Sequence, residues 1–215
     1  MRNAGAASTK VQSPAPPGGT LSQSTKDPID AHLKRSLVAL DRAAQDGPML
    51  ACARKVAEAI VTALKAGNKL LIIGNGGSAG DAQHIAAEIV GRYKRERPAY
   101  PALALTTDTS ALTAIANDYG YERVFERQIE GLGVPGDVLL ALSTSGRSPS
   151  ILVALRAARK RGLVTVGFTG SKGQAMGSDC DHLLIAPADD TAVIQQIHLA
   201  VAHGICDFVE QALVS

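Results

Sequence analysis

The sequence predicts a three-layer αβα sandwich built on a five-stranded parallel sheet and entered through a hairpin of two helices. Three observations predict it. From residue 68 onward, short apolar runs alternate with stretches of helical period, the pattern of strands buried on both faces by crossover helices. Each run is four or five residues long, which is strand length and not helix length. Ahead of them, residues 28–64 carry two helical stripes with no strand between.

Taken in order, residues 1–26 are Ala, Ser, Pro, Gly and Thr, with Pro14, Pro16 and Pro17 close together and little to bury, so a disordered tail is expected. Ile29, Leu33, Leu37 and Leu40 then recur at three- and four-residue spacing as one helix stripe. Pro48 opens a second helix, marked by Met49, Val56, Ile60 and Leu64 and ended by Ala66-Gly67-Asn68. Helices of this kind pack against a copy of the same chain, so residues 27–67 are expected to serve an oligomer. The strands are expected at Leu70 to Ile73, Ala102 to Leu105, Val138 to Leu142, Val164 to Phe168 and His182 to Ile185. Between them the pattern is helical at Asp81 to Tyr93, Ser110 to Ala116 and Pro149 to Arg161, with a short turn near Gly173, and a long helix from Thr191 to Leu213 closes the chain. In such sheets ligands bind outside the carboxyl ends of the strands, which directs attention to the loops after Ile73, Leu105 and Leu142.

Composition narrows the partners. With 46% apolar and 20% charged residues in 215, the chain carries the core of one globular domain, expected over residues 27–215. Aromatics at 3% and the absence of Trp leave no stacking platform for single-stranded nucleic acid, and a net charge of +2 creates no field for a polyanion. Neither nucleic acid nor a membrane is expected as a partner. Cys52, Cys180 and Cys206 are odd in number and far apart, so they read as reduced thiols. No signal-peptide pattern and no run of about 18 apolar residues is present, and the expected location is the cytoplasm.

Two loops carry chemistry. Gly74-Asn75-Gly76-Gly77-Ser78-Ala79-Gly80 leads from a strand into a helix, where glycines let backbone N–H groups approach a ligand. Its spacing formally satisfies a dinucleotide fingerprint. However, the acidic residue such a fold needs after the second strand is missing, since Asp108 comes late. The loop Ser143-Thr144-Ser145-Gly146-Arg147-Ser148, before Pro149, sets four hydroxyls around one glycine at a helix start. Hydroxyls and backbone amides there form a cradle for a phosphomonoester, whereas helix capping alone would account for one hydroxyl.

A third constellation spans two helices. His84 and Glu88 are four apart and share a helix face. Gln195 and His203 are eight apart, about 80° around the last helix, so both can lean toward one point. Two imidazoles, a carboxylate and an amide oxygen make a Zn²⁺ set apart from the unusual amide. His198, three residues after Gln195, is an equally placed rival, and each histidine could instead be a satisfied core residue.

With these residues in hand the chain resembles the sugar isomerase (SIS) family, through Gly74 to Ser78, Ala82-Gln83-His84-Ile85-Ala86-Ala87-Glu88, Ala116-Asn117-Asp118-Tyr119-Gly120, Ser143 to Gly146 and Ile194-Gln195. The resemblance runs from about Asn68 to the C-terminus and weakly over the first two helices. It implies the flavodoxin-like SIS fold and an aldose–ketose isomerase acting on sedoheptulose 7-phosphate, the first step toward nucleotide-activated heptose. By the resemblance, Asn75, Gly76 and Gly77 meet the sugar, Asn117 and Asp118 its hydroxyls, and Ser143, Thr144, Ser145 and Ser148 the phosphate. One Zn²⁺ per subunit is held by His84, Glu88, Gln195 and His203. Glu88 is the general base and His203 the general acid, exchanging a proton between C1 and C2 through an enediol. A zinc-bound carboxylate is a weakened base, so Glu88 either shifts between the two roles or the metal is structural. Arg92 matches a family arginine that completes the site from a neighbouring subunit, and the family implies a homotetramer with sites at subunit interfaces.

The sequence departs from the family at Gln196, where Glu is usual, which puts second-shell charge near the metal in doubt. Non-catalytic members of the same fold, sugar-phosphate sensors or proteins that bind a replication initiator, form the rival reading. They typically lack the acid and base, and Glu88 and His203 both stand here.

Overall fold

The computed structural model describes residues 27–214; the expected tail at 1–26 lies outside them. Helices α1 (Pro28–Gln45) and α2 (Gly47–Lys65) are joined by Asp46 alone. Asp27 accepts the Ile29 amide at 2.9 Å and Asp46 the Met49 amide at 2.9 Å, and each helix has proline in its first turn, so both starts are capped. The rest alternates strand and helix: β1 (Leu70–Gly74), α3 (Gly77–Val90), β2 (Ala102–Ala104), α4 (Thr109–Tyr119), α5 (Val124–Leu132), β3 (Val138–Leu142), α6 (Pro149–Lys160), β4 (Val164–Gly170), β5 (His182–Ala186) and α7 (Thr191–Val214). Short 3₁₀ turns stand at Tyr121–Arg123 and Gln174–Asp179.

All five strands are parallel in the order β2-β1-β3-β4-β5. Alternation along each strand makes two cores. Leu70, Ile72, Val138, Leu140, Val166 and Phe168 face α2, α3 and α7, whereas Leu71, Ile73, Leu139 and Ala141 face α5 and α6. The strand order reverses between β1 and β3, whose register pairs Gly74 with Leu142. The glycine loop and the hydroxyl loop therefore leave the sheet side by side, at the switch point where such sheets bind ligands.

Several boundaries differ from the sequence reading. Helix α3 begins at Gly77 and not near Asp81, because the glycine loop itself forms the first turn, and it stops at Val90, leaving Tyr93 in an irregular segment. Helix α5, with Val124, Phe125 and Ile129 buried, fills a stretch for which no element was expected. Phe125, Ile129 and Leu132 recur there at four- and three-residue spacing, so a helical signal is present in this short stretch. The stripe Ile29, Leu33 and Leu37 exists, but it faces outward, 71%, 61% and 69% exposed, while Ser36, Ala39 and Ala43 face the protein. Helix α7 is long and apolar enough to cross a membrane. It is packed instead against α2 and α3, with Ile194, Ile197, Ala202, Ile205 and Val209 in the core.

Candidate active site

The hydroxyl loop is shaped by Gly146, whose φ of +62° and close approach to the Gly173 carbonyl exclude a side chain. Ser143 is buried at the end of β3; its amide donates to the Phe168 carbonyl at 3.0 Å, but its Oγ has no partner. Ser148 is the N-cap of α6 yet makes no capping bond with its side chain, so capping does not account for the hydroxyls. Thr144 and Ser145 are half-buried beside it, and Ser145 Oγ accepts the Arg147 amide at 3.3 Å. A buried hydroxyl without a partner beside a helix N-terminus that no side chain caps is an arrangement able to receive an oxygen-rich anion.

The glycine loop is stitched to it. Asn75 Nδ2 donates to Ser150 Oγ at 3.0 Å, and the Tyr121 hydroxyl donates to Asn75 Oδ1 at 2.8 Å. Gly76, at φ +56°, turns the chain into α3, whose first amides have no side-chain cap. A Cβ on Gly77 would stand 2.5 Å from Gln195 Nε2, so the glycine lets α3 and α7 close on each other. Asn117 and Asp118 end α4 on the surface, bonded to each other at 2.8 Å, just ahead of Tyr121.

Two turns along the same pair of helices lie the ionisable groups. His84 Nε2 and His203 Nε2 are 2.8 Å apart, so one imidazole donates to the other, and Glu88 Oε1 is 3.4 Å from His84 Nε2. Donor atoms of His84, Glu88 and His203 all fall within 4.8 Å of one another, partly open to solvent. Two imidazoles and a carboxylate are a donor set that suits Zn²⁺. The Gln195 amide lies against Gly77, on the same helix contact that carries the three. Arg92 is exposed and pairs with Glu96 at 3.6 Å, outside the cluster.

The rival His198 is settled by burial. It is fully enclosed, faces Phe168, and its Nε2 meets the Thr169 carbonyl at 3.2 Å; burial pushes its pKa down to about 4 against the pull of that carbonyl. It is a neutral core residue. Gln196 points to α1, 3.1 Å from His32 Nε2, so the departure from the usual Glu falls on a helix tether and not on the cluster. Three neighbours escaped the sequence reading. Asp81, one turn before His84, has a buried oxygen without a partner, and burial raises its pKa against the opposing field of His84. Its i,i+3 spacing to His84 was the available signal. Tyr93 lies on the His203 ring, and Tyr121 holds Asn75; neither belongs to a periodic pattern.

Comparison with known proteins bears on this geometry. Residues 50–170 match the SIS domain family. A phosphoheptose isomerase of Bradyrhizobium sp. (strain ORS 278) is 70% identical over 185 residues, 86% of this chain and 93% of that protein. The structure of phosphoheptose isomerase GmhA from Neisseria gonorrhoeae superposes with a TM-score of 0.79 at 40% identity, over 85% of this chain and 97% of that one. A phosphoheptose isomerase from Francisella tularensis superposes at 0.81 with 34% identity, over 85% and 96%. A shared sheet order could come from fold alone. Identity this high across nearly the whole of an enzyme cannot, and the chain belongs to the phosphoheptose isomerases of the SIS family.

Proposed function

We propose that the chain converts sedoheptulose 7-phosphate into D-glycero-D-manno-heptose 7-phosphate through an enediol, at the entry to nucleotide-activated heptose biosynthesis. The observation that carries the reading is the convergence of His84, Glu88 and His203 in a chain of this family. The phosphate is taken by the hydroxyls of Ser143, Thr144, Ser145 and Ser148 with the amides of their loop, which fixes the far end of an open-chain sugar. Asn75, Gly76, Gly77, Asn117, Asp118 and Gln195 meet its hydroxyls. The reacting end then lies by the carboxylate and imidazole. Glu88 removes the proton from C1 as His203 protonates the C2 carbonyl oxygen. O1 then gives up its proton and C2 receives one, completing the exchange without any redox step.

Zn²⁺, one per subunit, would be held by His84, Glu88 and His203 with the amide oxygen of Gln195, and would act as a Lewis acid on the sugar's oxygens. A second copy of the chain covers the outward stripe Ile29, Leu33 and Leu37, which continues into an apolar groove lined by Leu40, Met49, Leu50 and Phe208. Four copies, with Arg92 of each reaching a neighbour's site, are the assembly the family resemblance implies. A cytoplasmic location fits the three free thiols, two of them buried and pushed up to about 12 by burial.

Purified protein incubated with sedoheptulose 7-phosphate tests the reading. It predicts accumulation of the aldose phosphate; tight binding without any product would move the chain to the sugar-phosphate sensors.

A further inference from the structure

Two carboxylates are fully enclosed among the described residues, Asp137 and Glu210, 0% and 1% exposed. Asp137 sits where β3 begins, bonded to the Lys69 and Val134 amides and to Lys69 Nζ, at the sheet edge opposite the site. Glu210 has another task. It stands seven residues after His203 on α7, two turns on and within about 20° of the same direction. Its Oε1 accepts the Tyr93 amide at 2.7 Å, and its Oε2 accepts those of Lys94 and Arg95 at 2.8 and 2.9 Å. The Arg97 Nε lies 3.3 Å from Oε1. Burial alone would raise its pKa, but three N–H donors and Arg97 outweigh burial and keep the carboxyl ionised.

The Arg97 side chain is 2% exposed and turns its other nitrogens on the end of α3, to the carbonyls of Glu88 at 2.8 Å, Ile89 at 2.9 Å and Gly91 at 3.1 Å, and on the Pro98 carbonyl at 3.0 Å. One buried ion pair thus joins α7, the irregular segment after Val90, and the last turn of α3. Tyr93 is the residue this joint holds closest to the chemistry. Its ring lies nearly parallel to that of His203, 14° apart with centroids at 5.4 Å, while His84 meets His203 edge-on at 5.1 Å.

We propose that Glu210 is a positioning residue for isomerisation: with Arg97 it pins residues 93–95 so that the Tyr93 ring fixes the plane of His203. The inference rests on the reading of His203 and Glu88 as the proton-transferring pair. Because the phosphate loop lies on β3 and α6, a disturbance at Glu210 reaches turnover and leaves phosphate binding alone.

The test compares Glu210→Gln, Tyr93→Leu, Tyr93→Phe and the Glu210→Gln/Tyr93→Leu double variant with native protein. Removing one member of a buried pair strongly destabilises a fold. Tyr93→Leu is therefore the second arm, since it leaves Glu210 and Arg97 paired. Expected are a fall in kcat of roughly tenfold to a hundredfold for Glu210→Gln and Tyr93→Leu alike, with KM within about threefold of native. The double variant is expected to be no worse than either single, because both break one link, and Tyr93→Phe restores what Tyr93→Leu loses. The His203 Cε1–H resonance in NMR is expected to move in both Glu210→Gln and Tyr93→Leu, because the Tyr93 ring current is displaced in the first and removed in the second. Losses that multiply, an unchanged kcat in Tyr93→Leu, or an unmoved His203 resonance in Glu210→Gln overturns the inference. The resonance is read without turnover, so a native protein that isomerises nothing defeats the functional reading by itself.

Discussion

The hydroxyl loop and the cluster of His84, Glu88 and His203 are assembled in opposite ways. Residues 143–148 are consecutive, between the end of β3 and the start of α6, and one neighbouring stretch shapes them, where Phe168 takes the Ser143 amide and Gly173 lies against Gly146. The cluster instead joins His84 and His203, 119 residues apart, and exists only because α3 and α7 pack together with Gly77 under Gln195. On the proposed reading such a site separates its tasks: one region grips whatever state the sugar is in, and the other acts only when the proton moves.

The largest effect that tests this division is on Glu88. Glu88→Gln is expected to lower kcat by about a thousandfold, while calorimetric binding of sedoheptulose 7-phosphate stays within about threefold of native. A kcat close to native would remove Glu88 as the base. Chelation comes next. Dialysis against a chelator is expected to abolish most turnover, restored by added Zn²⁺, and turnover that survives would leave the acid–base pair without a metal.

The same contrast explains what the sequence disclosed. Consecutive features were legible: the five apolar runs, the hydroxyl loop and the glycine loop each signal themselves within ten residues. The cluster was legible only as candidates, because helical spacing sets Gln195, His198 and His203 equally near a common point. Burial, a property of the whole fold, sent His198 into the core. Periodicity found the stripe of α1 but could not tell which side it faces: small residues Ala39 and Ala43 take the inner side, leaving the large ones outside. Residues that act through a loop backbone, such as Tyr93 and Glu210, leave no pattern at all.

On the binding side, Ser145→Ala is expected to raise KM about tenfold to a hundredfold, the worth of a hydrogen bond to a charged group, with kcat nearly native. A fall in kcat at constant KM would move the phosphate elsewhere. The outward face of α1 belongs to neither region. Leu33→Glu with Leu37→Glu is expected to dissociate the assembly, read by sedimentation, and an unchanged mass would assign that stripe no role between copies.

The smallest effect is on stability. His198 has a folded pKa of about 4, below the unfolded value near 6.5, so the folded state binds fewer protons between them. Its contribution is full above pH 6.5 and is lost as pH falls toward 4, by roughly 3 kcal/mol in all. The thermal midpoint of native protein should drop across that window, and His198→Gln should flatten the drop. Parallel curves for the two would mean that His198 titrates as freely in the fold as in the unfolded chain.

Solvent deuterium at C2 of the product is the most direct reading of the whole account. At saturating sedoheptulose 7-phosphate in heavy water, native protein and Ser145→Ala should both place deuterium at C2, and Glu88→Gln should place none. Label persisting in Glu88→Gln, or vanishing in Ser145→Ala, would contradict the division between the loop that holds the sugar and the helices that move its proton.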